Sequence, residues 1–471
     1  MDAYNQTRSH HGQTGLGWSL VLLAFAQLIT SLDFNIVYVA LPELGARLGF
    51  TNQSLQWVVS AYALTFGGFL LLGGRAADLL GRRTMFIGAL LIYALSSLLG
   101  GLATNSTLII AARALQGMGG ALLFPATLSL INTIFKEGTA RNRALAVWGG
   151  AGASGLTLGS LLGGFLTQSF GWSSVFFVNV PLALIVVLGA IVAIPKDAAG
   201  SLSGRFDIAG AVTVTGGVTL LVFSLIQGPS YGWSAPLVLA SDACAALLLL
   251  AFIAVEGRSR EPLMPLRLFA NRSLVTAMLI TFIFMGTFSA LPYFLTVLFQ
   301  RVMGYDALQT GLAFLVPSLS IALGTQIGER LATKRGTQYT LMIGLIIGAA
   351  GTAILGRCIY PGGGYLVLVP GLIVAGIGQG MTWTGMWIAA AAGVDAKEQG
   401  VASGMASTSL QVGGAVGLAV LVAIAGSSFD GSAVGMSHLS IVEGTRNAIY
   451  GAAIGICVAL VVALSARRSA E

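Results

Sequence analysis

Apolar residues in this chain come in long unbroken runs, not in the one-sided stripes of a soluble helix or the alternation of a half-buried strand. A run of about 20 mostly apolar residues is long enough to cross a bilayer as a helix. Such runs lie near 17–41, 54–73, 84–103, 107–131, 144–168 and 173–194, then near 207–228 and 235–255. The last six lie near 273–299, 308–331, 338–357, 364–389, 403–426 and 446–466. The pattern predicts fourteen membrane helices joined by short polar connections. Residues 1–16 are polar and lack the basic start and small-residue cleavage site of a signal peptide, so a retained tail is expected there.

Composition narrows the class. Hydrophobic residues make up 56% of the 471 and charged residues only 9%, against about 25% charged in a soluble domain. That balance excludes a soluble enzyme and a disordered chain. The solid apolar runs exclude a membrane β-barrel, whose strands alternate. The net charge of +7 is read as a topology signal, with no nucleic-acid partner. Of the 24 Lys and Arg, 19 fall on the side that holds both chain ends. Arg47, Arg301, Arg357 and Arg446 fall on the other, and Arg113 is left inside a run. So lopsided a division predicts a multi-pass cell-membrane (inner or plasma membrane) protein with both termini cytoplasmic. Cys244, Cys358 and Cys457 are far apart and have no metal or redox spacing. No cofactor and no metal are expected.

The runs also suggest an internal duplication. Ala40-Leu41-Pro42 recurs as Ala290-Leu291-Pro292, and the polar segment after the second run has a faded echo at 328–336. Duplicated halves are a habit of secondary transporters. The expected organisation is a tail over 1–16, a six-helix bundle over 17–195, and a linker with two extra membrane helices over 196–272. A second six-helix bundle over 273–466 and a short tail over 467–471 complete it.

Gly74-Arg75-Ala76-Ala77-Asp78-Leu79-Leu80-Gly81-Arg82-Arg83 resembles the signature loop between helices two and three of the major facilitator superfamily. The segment 32–42 (LDFNIVYVALP) is similar to the first-helix motif of the fourteen-span drug:proton antiporter branch of that superfamily. Segments 113–122 (RALQGMGGAL), 155–164 (GLTLGSLLGG) and 172–181 (WSSVFFVNVP) resemble its fourth-helix motif, its fifth-helix antiporter motif and the usual sequel. Ser160 stands where the fifth-helix motif carries proline, and Asn35 and Tyr38 depart from the first-helix pattern. Aligning Gly81 with Gly336 puts Thr333 opposite Asp78, so the second half lacks the acid. The resemblance covers nearly the whole chain. It implies an all-α polytopic major-facilitator fold of two six-helix bundles with two inserted central helices.

Individual residues can then be given work. Asp33 lies deep in an apolar run, where an acid is costly and by default functional. It is expected to exchange a proton, to pair with a cationic substrate, or both. A structural acid held by a nearby hydroxyl or amide is the alternative. Arg113 needs a partner, and Gln116 lies three residues on, on the same helical face. The resemblance implies that Arg113 helps relay protons or biases Asp33. Gly74, Asp78, Gly81, Arg82 and Arg83 are expected to form a gating latch, with the carboxylate bonding helix-end amides and arginines. Gly155, Gly159, Gly163 and Gly164 allow close helix approach. Asn35, Tyr62, Gln116, Tyr293, Trp383 and Trp387 are candidates for the wall of a substrate pocket.

The expected activity is proton-coupled antiport that exports amphiphilic drugs or antibiotics by alternating access. Partners are then a small amphiphilic molecule, protons and the bilayer, and a monomer is expected. A proton-coupled transporter of one metabolite has the same fold and remains an alternative, with a membrane receptor behind it. No Walker A, HExxH or GxSxG sequence supports an ATP site or an enzyme.

Overall fold

The computed structural model describes residues 2–50, 55, 57–197, 207–259, 262–426 and 438–468. Among the described residues the chain is helical without strands, and fourteen helices are long and apolar enough to cross a membrane. In order, α1 is Asp2–Arg47, α2 Trp57–Leu80, α3 Arg82–Gly101, α4 Ser106–Ile134 and α5 Thr139–Phe170. Next come α6 Ser174–Ala193, α7 Ile208–Tyr231, α8 Pro236–Glu256 and α9 Arg272–Val302. The remaining five are α10 Gln309–Arg335, α11 Thr337–Cys358, α12 Tyr365–Ala391, α13 Ala396–Ala425 and α14 His438–Arg468.

Hydropathy located the helices, but caps and turns set their ends. The polar residues 2–15, expected as a tail, continue α1 back to Asp2. Helix α2 does not stop where the apolar run fades at Arg75. It continues to Leu80 and yields only at Gly81, whose φ of 94° a side chain would strain. Most of the segment expected as a loop is therefore the last turns of a helix. Gly336 repeats the device between α10 and α11 with φ 91°. The Asn105 and Asn271 side chains cap α4 and α9 by accepting from the Leu108 and Leu274 amides. Within α9 the α-helix gives way to a 3₁₀ turn at Phe288–Ala290, just before Pro292, which has no amide to donate. Helices α13 and α14 begin earlier than the apolar runs suggest, at Ala396 and His438.

Two compact units are built from these helices: Met1–Thr219 with Leu248–Pro265 and Val394–Gly404, and Leu220–Leu247 with Leu266–Gly393 and Met405–Glu471. Helices α7, α8 and α13 are each divided between the units. The polar stretch 198–206, near the start of the expected linker region 196–272, lies outside the described residues, as do the tail residues 469–471.

Within the first unit, glycines set the helix spacing. A Cβ on Gly155 would meet the Leu28 carbonyl oxygen at 2.5 Å, one on Gly159 the Leu32 oxygen at 2.4 Å, and one on Gly163 the Ile36 oxygen at 3.0 Å. Helix α5 therefore lies directly on the turns of α1 that flank Asp33. Gly164 is different: nothing lies within 4 Å of its position. Helices α2 and α4 are equally close, since a Cβ on Gly117 would meet the Tyr62 carbonyl oxygen at 2.4 Å, and Thr65 donates to the Ala114 oxygen at 2.8 Å. Toward the Arg47 end of α1, an apolar cluster of Leu32, Ile36, Val37, Ala40, Val58, Ile109 and Phe176 closes over these contacts.

Candidate functional site

The packing of α1, α2, α3, α4 and α6 brings one acid and its partners together. Asp33 is fully buried and Arg113 is 2% exposed. Arg113 Nη1 lies 2.7 Å from Asp33 Oδ2. The same nitrogen donates to Gln116 Oε1 at 2.6 Å, and Arg113 Nε donates to the Val58 carbonyl at 3.0 Å. The other carboxylate oxygen, Oδ1, accepts from Gln116 Nε2 at 2.9 Å and from Asn179 Nδ2 at 2.7 Å. Gln116 Nε2 also donates to Ser97 Oγ at 2.8 Å. Tyr62 lies under the guanidinium, its ring centroid 4.3 Å from Arg113 Cζ, and stacks on Phe66 at 5.7 Å.

Every group bonded to this carboxylate is a donor. The cage as oriented therefore suits the ionised acid, and a protonated one would need an amide to turn, or another group, to supply an acceptor. The Arg113–Gln116 pairing expected from their i,i+3 spacing is present, and Arg113 does not snorkel to an interface. Three members of the cage carried no functional assignment at the sequence level: Ser97, Asn179 and Val58. Ser97 is a polar residue inside an apolar run, which was its only local signal, and Asn179 is another that also lies in the motif-like segment 172–181. Their meeting depends on tertiary packing.

A second acid lies at the end of α2. The Asp78 side chain is 2% exposed. Its Oδ1 accepts from Arg82 Nη2 at 3.0 Å and from the Gly400 amide at 3.1 Å, and its Oδ2 accepts from the Val401 amide at 2.9 Å. Arg82 also donates to the Ala396 carbonyl. Gly74 and Gly400 meet backbone to backbone, a Cβ on either falling 2.3 Å from the other's carbonyl oxygen. Asp78 thus caps the first turn of α13, whose residues up to Gly404 pack in the first unit and whose remainder packs in the second. In the second half of the chain Thr333 occupies the corresponding position, and its hydroxyl donates to Glu329 at 3.4 Å.

Arg83 faces another way. Its guanidinium donates to the Ile191 carbonyl at 2.5 Å, and its amide donates to Asp197 Oδ1 at 3.0 Å. Asp197 Oδ2 accepts from the Thr84 amide at 3.0 Å and from its hydroxyl at 2.8 Å. A carboxylate beyond α6 thereby caps the start of α3, a contact hidden in the sequence because Asp197 sits in a polar connection.

These contacts fit a membrane transporter whose motifs were read above, and comparison with known proteins decides the family. The family model described as the Major Facilitator Superfamily matches residues 23–418. The chain belongs to the major facilitator superfamily.

Its relatives include the puromycin resistance protein pur8 of Streptomyces alboniger, 37% identical over 453 residues that cover 95% of this chain and 89% of the relative. The cephamycin export protein CmcT of Amycolatopsis lactamdurans is 38% identical over 422 residues, covering 88% and 86%. The lincomycin resistance protein of Streptomyces lincolnensis is 33% identical, covering 86% and 84%. These relatives place this superfamily member in the drug-efflux branch, as a transporter and not an enzyme. Among solved structures, the human organic anion transporter MFSD10 matches with a TM-score of 0.69 at 17% identity, over 95% of this chain and 99% of that one. That likeness speaks for the fold alone.

The six pocket candidates of this major facilitator protein divide between its two units. In the first, Tyr62 and Gln116 belong to the Asp33 cage, and Asn35 is half-buried where α1 meets α5 beside Gly159. In the second, Trp383 and Trp387 on α12 pack edge to face at 5.8 Å, with Trp383 also 5.6 Å from Phe284. Tyr293 on α9 is 42% exposed and packs against Phe294. Ser160, where the family motif has proline, lies in α5, which runs unbroken through it.

Proposed function

We propose that this transporter is a proton-coupled antiporter of the cell membrane that exports amphiphilic antibiotics or drugs, with both termini in the cytoplasm. The observation that carries the reading is the fully buried Asp33–Arg113 pair inside the span Leu16–Leu41. A buried acid bonded only by donors has two states of very different energy. Ionised, it holds Arg113, Gln116 and Asn179. Protonated, it loses the attraction of Arg113 and must rearrange its bonds.

The cycle follows from that difference. A proton arriving from outside neutralises Asp33 and frees the α1–α4 contact. The transporter changes the side to which the site opens, and return of the proton to the cytoplasm restores the pair. Each charge moved through 100 mV is worth about 2.3 kcal/mol, so one proton supports a substantial substrate gradient. The Asp78 contact, which caps α13, acts as the cytoplasmic latch that makes and breaks once per cycle. The names of the puromycin, cephamycin and lincomycin relatives support an antibiotic as substrate. The 19-to-4 division of basic residues supports the orientation.

The test is proton movement in liposomes that hold the purified protein and an internal pH-sensitive dye. Puromycin, lincomycin and ethidium serve as probes. At least one is expected to drive proton flux in the opposite direction, and Asp33→Asn is expected to abolish that flux while probe binding persists. Probe accumulation with no proton movement would exclude antiport. Growth dependence on a nutrient, with no change in drug susceptibility on deletion, would favour a metabolite transporter instead.

A further inference from the structure

Tyr93 lies on α3, four residues before Ser97, so the two side chains share a face. It is fully buried. Its hydroxyl lies beside Asp33 and Tyr62, yet meets neither at full hydrogen-bond distance and angle. A buried polar group left unpaired typically costs about 1–3 kcal/mol. Phenylalanine would fill the same space without that cost, so the hydroxyl needs a reason other than stability.

The donor cage supplies one. When Asp33 is ionised, Arg113, Gln116 and Asn179 satisfy it. When Asp33 is protonated, its new O–H needs an acceptor. Gln116 Oε1 is already engaged by Arg113, and Ser97 Oγ by Gln116. Asn179 Oδ1 is also unpaired, but Asn179 already turns its Nδ2 toward Asp33, and the amide oxygen lies on the other side of the same planar group. A phenol hydroxyl can both donate to a carboxylate and accept from a carboxylic acid. Tyr93 is a buried group of that kind beside Asp33, with its hydroxyl not held by a well-formed bond to another residue.

We propose that Tyr93 is the proton-transfer residue through which Asp33 gains and loses its proton. A proton from hydronium reaches a lone pair of the Tyr93 oxygen, by way of the neighbouring Tyr62 hydroxyl, while the proton Tyr93 already carries passes to Asp33 Oδ. One O–H bond breaks and one forms at Tyr93, which is neutral before and after, and the water left behind is neutral. The new Asp33 O–H then donates to the Tyr93 oxygen. Release runs the same steps backward. This rests on the proton role proposed above for Asp33.

The experiment follows the carboxylic acid C=O band of Asp33 by time-resolved infrared spectroscopy after a pH jump on the purified full chain. The band is assigned by its loss in Asp33→Asn and needs no transported substrate. Tyr93→Phe is expected to slow the rise of the band about tenfold or more, while its melting temperature equals or exceeds that of the wild type. Protonation at the wild-type rate in Tyr93→Phe would overturn the proposal. So would a clear fall in melting temperature, which would make the hydroxyl a structural partner. If the wild type shows no titrating Asp33 band, this inference and the coupling reading fail together. If Asp33→Asn loses the band but drug-driven proton flux is intact, the coupling reading fails alone and the Tyr93 result still stands on the band.

Discussion

The Asp33–Arg113 pair allows a double-mutant cycle whose outcome can be estimated beforehand. The two groups are 2.7 Å apart and at most 2% exposed. At an effective dielectric of about 20 and a charge separation of roughly 4 Å, their attraction is about 4 kcal/mol. Removing one partner of a buried pair typically costs about 3–5 kcal/mol, because the other is left as an uncompensated charge. Asp33→Asn should therefore destabilise the protein strongly, with Arg113 stranded over Tyr62. Arg113→Met should do the same from the other side, leaving Asp33 with its two amide donors alone.

Combining them removes both charges. The double variant should be much closer to wild type in stability than the sum of the single effects, with a coupling energy of about 2–4 kcal/mol. The readout is thermal unfolding in detergent by tryptophan fluorescence, where each kcal/mol moves a chain of this size by about 2 °C or less. Function should separate from stability: the double variant folds, yet no probe drives proton flux through it. A coupling energy below about 0.5 kcal/mol, the level of independent sites, would refute the reasoning. So would a double variant that still exchanges protons for drug.

Three further outcomes are expected. Gly159→Ala drives a methyl group against the Leu32 carbonyl oxygen and should cost about 1–3 kcal/mol together with transport rate, whereas Gly164→Ala, placed where nothing lies within 4 Å, should change neither melting temperature nor efflux. Asp78→Asn keeps the shape of the latch but weakens its bonds to Arg82 and to the α13 amides, so transport should slow more than probe binding weakens; equal losses in the two would count against a gating role. Asp197→Ala unpairs the Arg83 and Thr84 amides at the start of α3 and should cost about 1–2 kcal/mol, read as a lower melting temperature that Arg83→Ala only partly reproduces.

Much of this was legible in the sequence because membrane burial is written into composition. Fourteen apolar runs gave fourteen spans, since a backbone in lipid must satisfy its own hydrogen bonds and does so as helices. Asp33 stood out because few acids occur deep in those runs. Helix ends were less legible: α2 crosses Arg75 and Asp78, because a helix is terminated by a residue such as Gly81 that takes positive φ and not by a drop in hydropathy. The two glycines of the 74–83 segment divide for the same reason. Gly81 turns the chain, while Gly74 remains helical and serves close approach to Gly400. Ser97 and Tyr93 gave only the weak signal of polar groups in apolar runs, and Asn179 added to it a place in the motif-like segment 172–181. Asp197 gave none, being one charge among several in a polar connection.

The strength of the Asp33 contact is itself an argument about mechanism. Moving a two-state equilibrium from 1:99 to 99:1 takes about 5.5 kcal/mol of differential stabilisation. An exposed ion pair, worth about 0–1 kcal/mol, would leave the populations almost unmoved when it broke. In the coupling proposed above, the buried pair, at about 3–5 kcal/mol on losing a partner, would supply most of the shift with one proton, to which about 2.3 kcal/mol per 100 mV of membrane potential is added. For the shift to reach the backbone, Asp33 must not simply relax in place. The contacts of Gly155 and Gly159 with the carbonyls of Leu28 and Leu32 leave α1 no slack against α5 at the turn that carries the acid. A change of charge there must then be met by α3, α4 and α6, the helices that bring Ser97, Arg113, Gln116 and Asn179 to the acid.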